Sequence, residues 1–118
     1  SDYPRYAEYD KYYDGYCKFF MFGDTKQEIP DHIKIFNKIG LAYGFALDNA
    51  YIVDIDNNIE FLLTAVLYSN SNEVMNDNTY DYDSISIPFL SELGRKIYNY
   101  ESKREKSNLP RLGWVKKL

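Results

Sequence analysis

Residues Phe36-Asn37-Lys38-Ile39-Gly40-Leu41-Ala42-Tyr43-Gly44-Phe45 carry a strand-like alternation straight into a glycine. The alternation begins at Ile33. Ile33, Ile35, Asn37 and Ile39 fall on one face, and Lys34, Phe36 and Lys38 on the other. Successive side chains of a strand point to opposite faces, so this period predicts a strand over 33–43. Gly44 then permits a tight reversal. Residues 45–55 are rich in β-formers (Tyr51, Ile52, Val53, Ile55), and Asp56-Asn57-Asn58 supplies turn chemistry before a third run over 59–68. Strands with such short links predict an antiparallel meander. The third run is nearly continuous in apolar residues, as at Phe61-Leu62-Leu63, which predicts a strand covered on both faces.

Upstream, Tyr13, Tyr16, Cys17, Phe20 and Met21 recur at helical spacing and predict an amphipathic helix over about 10–22. Gly15 weakens it by about 1 kcal/mol relative to alanine. Gly23 stands where a left-handed cap is expected, and 24–31, with Pro30, reads as a loop. Downstream, 69–83 is full of Asn and Asp and reads as a surface loop. A second helix is predicted over about 86–104. Ser84 or Ser86 can cap it, Pro88 fits only in its first turn, and Leu90, Leu93 and Ile97 mark its apolar face. Gly94 beside that face predicts close approach to another backbone. The basic tail, 105–118, is expected to be a solvated, irregular extension anchored by Trp114. The fold class is therefore α+β: a three-stranded antiparallel meander with both flanking helices on one face.

Apolar side chains make up 45% of the 118 residues and charged ones 27%, a balance that can bury a core and does not suit a disordered segment. The net charge of −4 is unevenly spread: 101–118 carries a surplus of four positive charges, leaving −8 on the first hundred residues. An acidic body does not match a phosphate backbone, so no nucleic-acid partner is expected. No apolar run approaches the roughly 20 residues that cross a bilayer, so no membrane span is expected. The charged, tyrosine-rich opening, 1–13, does not read as a signal peptide. One cysteine, Cys17, closes no internal disulfide and reads as a buried, inert thiol.

Phe36-Asn37-Lys38-Ile39-Gly40, running into Leu41-Ala42-Tyr43-Gly44-Phe45, resembles the Lys-[Thr/Ser]-Gly strand of class A β-lactamases and penicillin-binding proteins. Over 10–105 the order helix, loop, three strands, loop, long helix is similar to the C-terminal part of that domain. The resemblance implies a partial domain, part of a β-lactamase/transpeptidase-like α/β sandwich. The complete domain would be a serine hydrolase acting by serine acylation on β-lactams or D-Ala-D-Ala-like peptides. The nucleophile would lie outside this chain, in the missing N-terminal part of the same domain. By the same resemblance Lys38 is the catalytic cleft lysine, Gly40 keeps the strand surface low for substrate, and Leu41 or Ala42 offers a backbone N–H to the oxyanion hole. No metal and no cofactor are implied, and the location implied is periplasmic or exported.

The sequence departs from the family pattern at three places. Ile39 stands where the family has Thr or Ser, no Arg occurs between Phe45 and Ile55, and neither Ser-x-x-Lys nor Ser-Asp-Asn is present; Ser102 to Glu105 ends in Glu rather than Lys. This chain alone is therefore expected to be inactive. In the resembled fold the third strand pairs with an N-terminal strand. Left without it, 59–68 exposes an edge that invites homo-oligomerisation.

Other clusters have plainer readings. His32, the only histidine, reads as a surface residue and has no second ligand nearby for zinc. The run from Asp54 to Asn58 looks like the start of a calcium loop. It lacks the sixth-position glycine, and Ala65 stands where the twelfth-position Glu belongs, so it reads as a hairpin turn. Asp77, Asp81 and Asp83, with Asn76 and Asn78 interleaved, read as a polar loop. Tyr3, Tyr6, Tyr9, Tyr12 and Tyr13 read as cover for the core or for the absent part of the domain. The rival reading of the whole is a non-catalytic α+β binding module using its Tyr-rich surface for a protein or glycan partner.

Overall fold

The computed structural model describes residues 7–75 and 77–118; Tyr3, Tyr6 and Asn76 lie outside the described residues. Strands β1 (Ile33–Ala42), β2 (Phe45–Asp54) and β3 (Ile59–Tyr68) are followed by one α-helix, α1 (Ile87–Lys103). The sheet order is β1-β2-β3, antiparallel throughout. Each strand lies within a residue of the span expected from alternation. The architecture is α+β.

The turns fix the register. Tyr43 and Gly44 have φ of 50° and 92°, positive at both central positions, as in the type I′ hairpin whose twist matches its strands. The Gly44 N–H donates to the Tyr82 hydroxyl at 2.9 Å, and its carbonyl accepts the Ser69 N–H at 2.8 Å. The β1–β2 turn is thereby tied to the segment after β3. At the second turn the Asp54 carboxylate accepts the N–H groups of Asp56 and Asn57, both at 3.0 Å. Asn58 takes the left-handed region there, which a short polar side chain tolerates.

The inner face of the sheet carries Ile33 and Ile35 of β1 with Ala46, Ala50 and Ile52 of β2. Phe19, Phe20, Met21 and Leu90 close the core over it. Burying each large side chain here stabilises the fold by about 1.5–3 kcal/mol relative to exposure. Gly94 makes the close approach expected of it: a Cβ there would sit 2.7 Å from the Met21 nitrogen.

Residues 10–22 are a succession of turns rather than the predicted helix. Cys17 and Met21 have φ of 59° and 68°, values an α-helix does not accommodate. The cause is tertiary. Asp48 Oδ2 accepts the Phe19 N–H at 2.9 Å and the Phe20 N–H at 3.4 Å. The Met21 N–H donates to the Ser91 carbonyl at 3.2 Å. Ser91 Oγ donates to the Phe19 carbonyl at 2.7 Å, and Arg95 Nη1 to the Met21 carbonyl at 2.8 Å. Partners on β2 and α1 take the groups a helix would have paired internally, and among the described residues one α-helix, not two, flanks the sheet.

α1 begins through a π-helical turn, Tyr82–Ser86, with Pro88 in its first turn as expected. Ser86 does not cap it through its side chain; that hydroxyl meets Ser69 Oγ at 2.5 Å. The tail is not a solvated extension. Leu112 and Val115 are buried against Val53 on the outer face, while Trp114 stacks on Tyr51 yet stays about half exposed. Nor is β3 covered on both faces: Leu62 is 78% exposed and Val66 61%. The tail reaches only the Val53 end of β2, and no other described segment packs over Leu62 and Val66.

Candidate functional site

The site expected from sequence lies along β1, and the hairpin geometry decides what that strand offers. A two-residue turn closes on a narrow pair, so Ala42 and Phe45 exchange both of their backbone bonds. By alternation Gly40, Lys38 and Phe36 also bond toward β2. The peptide groups of Leu41, Ile39, Asn37 and Ile35 face the open edge. The contacts agree: the Ile35 carbonyl accepts Lys18 Nζ at 3.0 Å and the Ile39 carbonyl accepts Lys38 Nζ at 2.8 Å.

Lys38 projects from the outer face, away from α1, and folds its ammonium back onto the edge. Gly40 pairs with Leu47 on that same face, and a Cβ at position 40 would press to 3.1 Å from the Leu47 side chain. Leu41 points its N–H along the open edge, whereas the Ala42 N–H is committed to Phe45. A positive charge and an N–H donor thus share one edge, an arrangement able to receive an anion or a developing oxyanion.

Leu41 and Ala42, with Tyr43, Asn78, Tyr80 and Tyr82, line an open cleft of about 450 Å³. Lys38 and Gly40 are not part of its lining. Tyr80 and Tyr82 meet at a ring separation of 5.5 Å, and the Tyr82 hydroxyl is held by Gly44. Asp81 between them accepts the Ser71 N–H at 2.8 Å and the Ser71 hydroxyl at 3.1 Å, which pins the segment to the end of β3. Sequence reasoning passed over Asn78, Tyr80 and Tyr82 because they sit in a stretch legible only as a polar loop.

A buried polar cluster supports β1 from behind and was also missed. Asp48 is fully buried, and besides the Phe19 and Phe20 N–H groups it accepts Asn37 Nδ2 at 3.0 Å. Asn37 Oδ1 accepts Lys18 Nζ at 3.2 Å, and Asn37 Nδ2 also reaches the Cys17 carbonyl at 2.8 Å. Burial pulls the Lys18 pKa below its ordinary value, against the pull of Asp48 in the other direction. Cys17 itself is exposed, not buried as expected; it sits at a left-handed position among the turns of 10–22, where the helical spacing that placed it inward does not hold. It lines a second cavity, of about 290 Å³, with Tyr13, Phe19 and Ile39.

The second buried carboxylate, Asp54, accepts Asn57 Nδ2 at 2.8 Å and the Tyr98 hydroxyl at 2.5 Å. Burial pushes its pKa up, but these donors outweigh that and hold it below the usual carboxylate value. Burial, then the Asp54 bond, pushes the Tyr98 hydroxyl up to about 12. His32 is half-buried, 3.9 Å from Asp54. With its carboxylate so engaged, Asp54 belongs to a hairpin turn. Among the described residues no group of three or more His, Cys, Asp or Glu side chains is placed to hold a metal ion, and no helix is long and apolar enough to cross a membrane. Compared with protein-family models, curated proteins and solved structures, the chain matches none.

Proposed function

We propose that this chain is the C-terminal portion of a β-lactamase-like serine hydrolase acting on β-lactams or D-Ala-D-Ala-like peptides, its nucleophile supplied from outside Ser1–Leu118. The observation that carries the reading is the meeting, at one open strand edge, of the Lys38 ammonium and the free Leu41 N–H. Serine acylation joins the serine oxygen to the carbonyl carbon and breaks the C–N bond, with a proton passing to the leaving nitrogen. Negative charge collects on the carbonyl oxygen on the way, and one well-aimed donor is worth about 3 kcal/mol there. In this reading Leu41 is that donor, while the space above Gly40 is taken by the Leu47 side chain, so a flat substrate would lie along the strand edge rather than over Gly40. Lys38 fixes the substrate carboxylate. With Ile39 lacking a hydroxyl and β2 lacking an arginine, Lys38 does so unaided within this chain.

The test is acylation of the longer polypeptide carrying this segment by a fluorescent penicillin. Lys38→Ala should lower the acylation rate about 10- to 100-fold, the weight of one charge-assisted contact. Unchanged acylation removes Lys38 from the role. A gene whose frame opens close to Ser1, with no Ser-x-x-Lys upstream, removes the class.

The second reading, a non-catalytic binding module, draws on the cleft. Tyr43, Tyr80, Tyr82 and Asn78 offer ring faces and neutral hydrogen-bonding groups with no formal charge, chemistry that suits a glycan or an uncharged peptide. It requires that penicillin leave the protein unlabelled.

A further inference from the structure

The two edges of the sheet are finished differently. Along β1 the Ile33 N–H is bonded to the Pro30 carbonyl, the Ile35 and Ile39 carbonyls hold lysine ammonium groups, and Lys34 and Lys38 stand on the strand. Lysines and occupied backbone groups blunt an edge against further pairing. Along β3 the even positions of β2 bond to Leu67, Ala65, Leu63, Phe61 and Ile59. Glu60, Leu62, Thr64, Val66 and Tyr68 are left with their peptide groups facing outward, and none of the described residues donates to or accepts from that row. Its one charge, Glu60, is already engaged by the Tyr51 hydroxyl at 2.5 Å.

We infer that this row is a self-complementary dimerisation edge: two copies of the chain pair β3 to β3, antiparallel, about a two-fold axis through Thr64. The register follows from the residues. Centred on Thr64, Leu62 faces Val66 of the second copy, Glu60 faces Tyr68, and Thr64 faces itself. All five outward residues are then paired, no two like charges meet, and the two most exposed aliphatic side chains of the outer face cover each other. A slip of two residues in either direction runs Tyr68 past the β2–β3 turn or Glu60 past the end of the strand. The product is one six-stranded sheet with a continuous outer face, closed by a symmetric interface that cannot propagate into a filament.

The inference concerns Ser1–Leu118 and does not rest on the hydrolase reading; penicillin labelling tests that reading, and cross-linking tests this one. The experiment uses the full chain carrying Cys17→Ser, so that each introduced cysteine is the only one. Under mild oxidation Thr64→Cys should give a covalent dimer. Leu62→Cys and Val66→Cys should stay uncrosslinked alone and cross-link when mixed, because disulfide formation needs Cα atoms within about 7 Å. Light scattering should give twice the 13.9 kDa chain mass, falling to the single mass in Leu62→Lys/Val66→Lys with an unchanged circular-dichroism spectrum. A wild-type chain that stays monomeric up to its solubility limit overturns the inference. So does Leu62→Cys cross-linking with itself, which requires a different axis.

Discussion

Asp48 and Leu62 project from neighbouring strands of one sheet, yet the carboxylate is fully buried and the leucine is 78% exposed. The inner face holds a second carboxylate, Asp54, equally buried, and meets both with donors from elsewhere in the chain: Phe19, Phe20 and Asn37 on Asp48, and Asn57 and Tyr98 on Asp54. The outer face presents Leu62, Val66, Phe36 and Phe45 to solvent over much of its area. Apolar content therefore does not say which side of these strands is inside. A slip of one residue would exchange the faces, and aliphatic side chains, present on both, would resist it weakly. The carboxylates resist it strongly, because it would strand the N–H groups and hydroxyl they now satisfy.

The largest expected break in this contrast is Asp48→Ala. It leaves the Phe19 and Phe20 N–H groups and Asn37 Nδ2 short of an acceptor in the core, at a cost of about 3 kcal/mol. The urea midpoint should drop accordingly, and Asp48→Asn, which keeps an acceptor, should cost less than half as much. Equal midpoints for the two variants would show that the carboxylate does not organise residues 17–21.

A middle-sized effect tests the other inner anchor through pH. The Tyr98 pKa is raised from 10.0 to about 12 in the folded chain, so its contribution is complete below pH 10 and is lost as pH rises toward 12. Asp54 is shifted the opposite way, downward from 3.8; its contribution is complete above that value and is lost as pH falls below it. Tyr98→Phe should cost about 1–2 kcal/mol at neutral pH, by leaving Asp54 one donor short, and should shrink the alkaline decline measured by urea titration. The decline should not vanish, because Tyr51 on the outer face is also raised to about 12.

The smallest effect belongs to the outer face. Leu62→Thr keeps a β-former and removes little buried surface, so monomer stability should change by no more than about 0.5 kcal/mol. Thermal melting at low concentration checks it. A loss of several degrees there would mean that Leu62 is covered within one chain.

The three strands and α1 were legible because alternation, Gly44, Asp56-Asn57-Asn58 and Pro88 are local signals, and the structure keeps every one of them. The segment 10–22 was not, since its helical spacing loses to acceptors and donors on Asp48, Ser91 and Arg95, which are distant in sequence. The same distance hid the support behind β1: a charged residue in a strand reads as outward-facing, and nothing near Asp48 in sequence shows that Asn37 and two backbone N–H groups await it. Along β1 the positions of Lys38, Gly40, Leu41 and Ala42 on one strand were legible. Which of Leu41 and Ala42 keeps a free N–H required the turn geometry. In β3, hydrophobicity predicted cover on both faces, but among the described residues the tail packs only at the Val53 end of β2, and Leu62 and Val66 stay exposed.

The bonds that hold the Phe19–Met21 loop have a consequence for the order of events during synthesis. Ser91 and Arg95 follow the carbonyls they bind by 72 and 74 residues. At 5–20 residues per second a ribosome takes roughly 4–15 s to cover that interval. The two hairpins involve only near neighbours, and the last of their strands is complete at Tyr68. For the roughly 1–5 s that synthesis then takes to reach Ser91 and Arg95, the nascent chain displays a finished sheet whose isoleucine-rich side is bare, and that side is what a ribosome-associated chaperone would meet first. Emergence of the Ser91–Arg95 turn of α1 closes it.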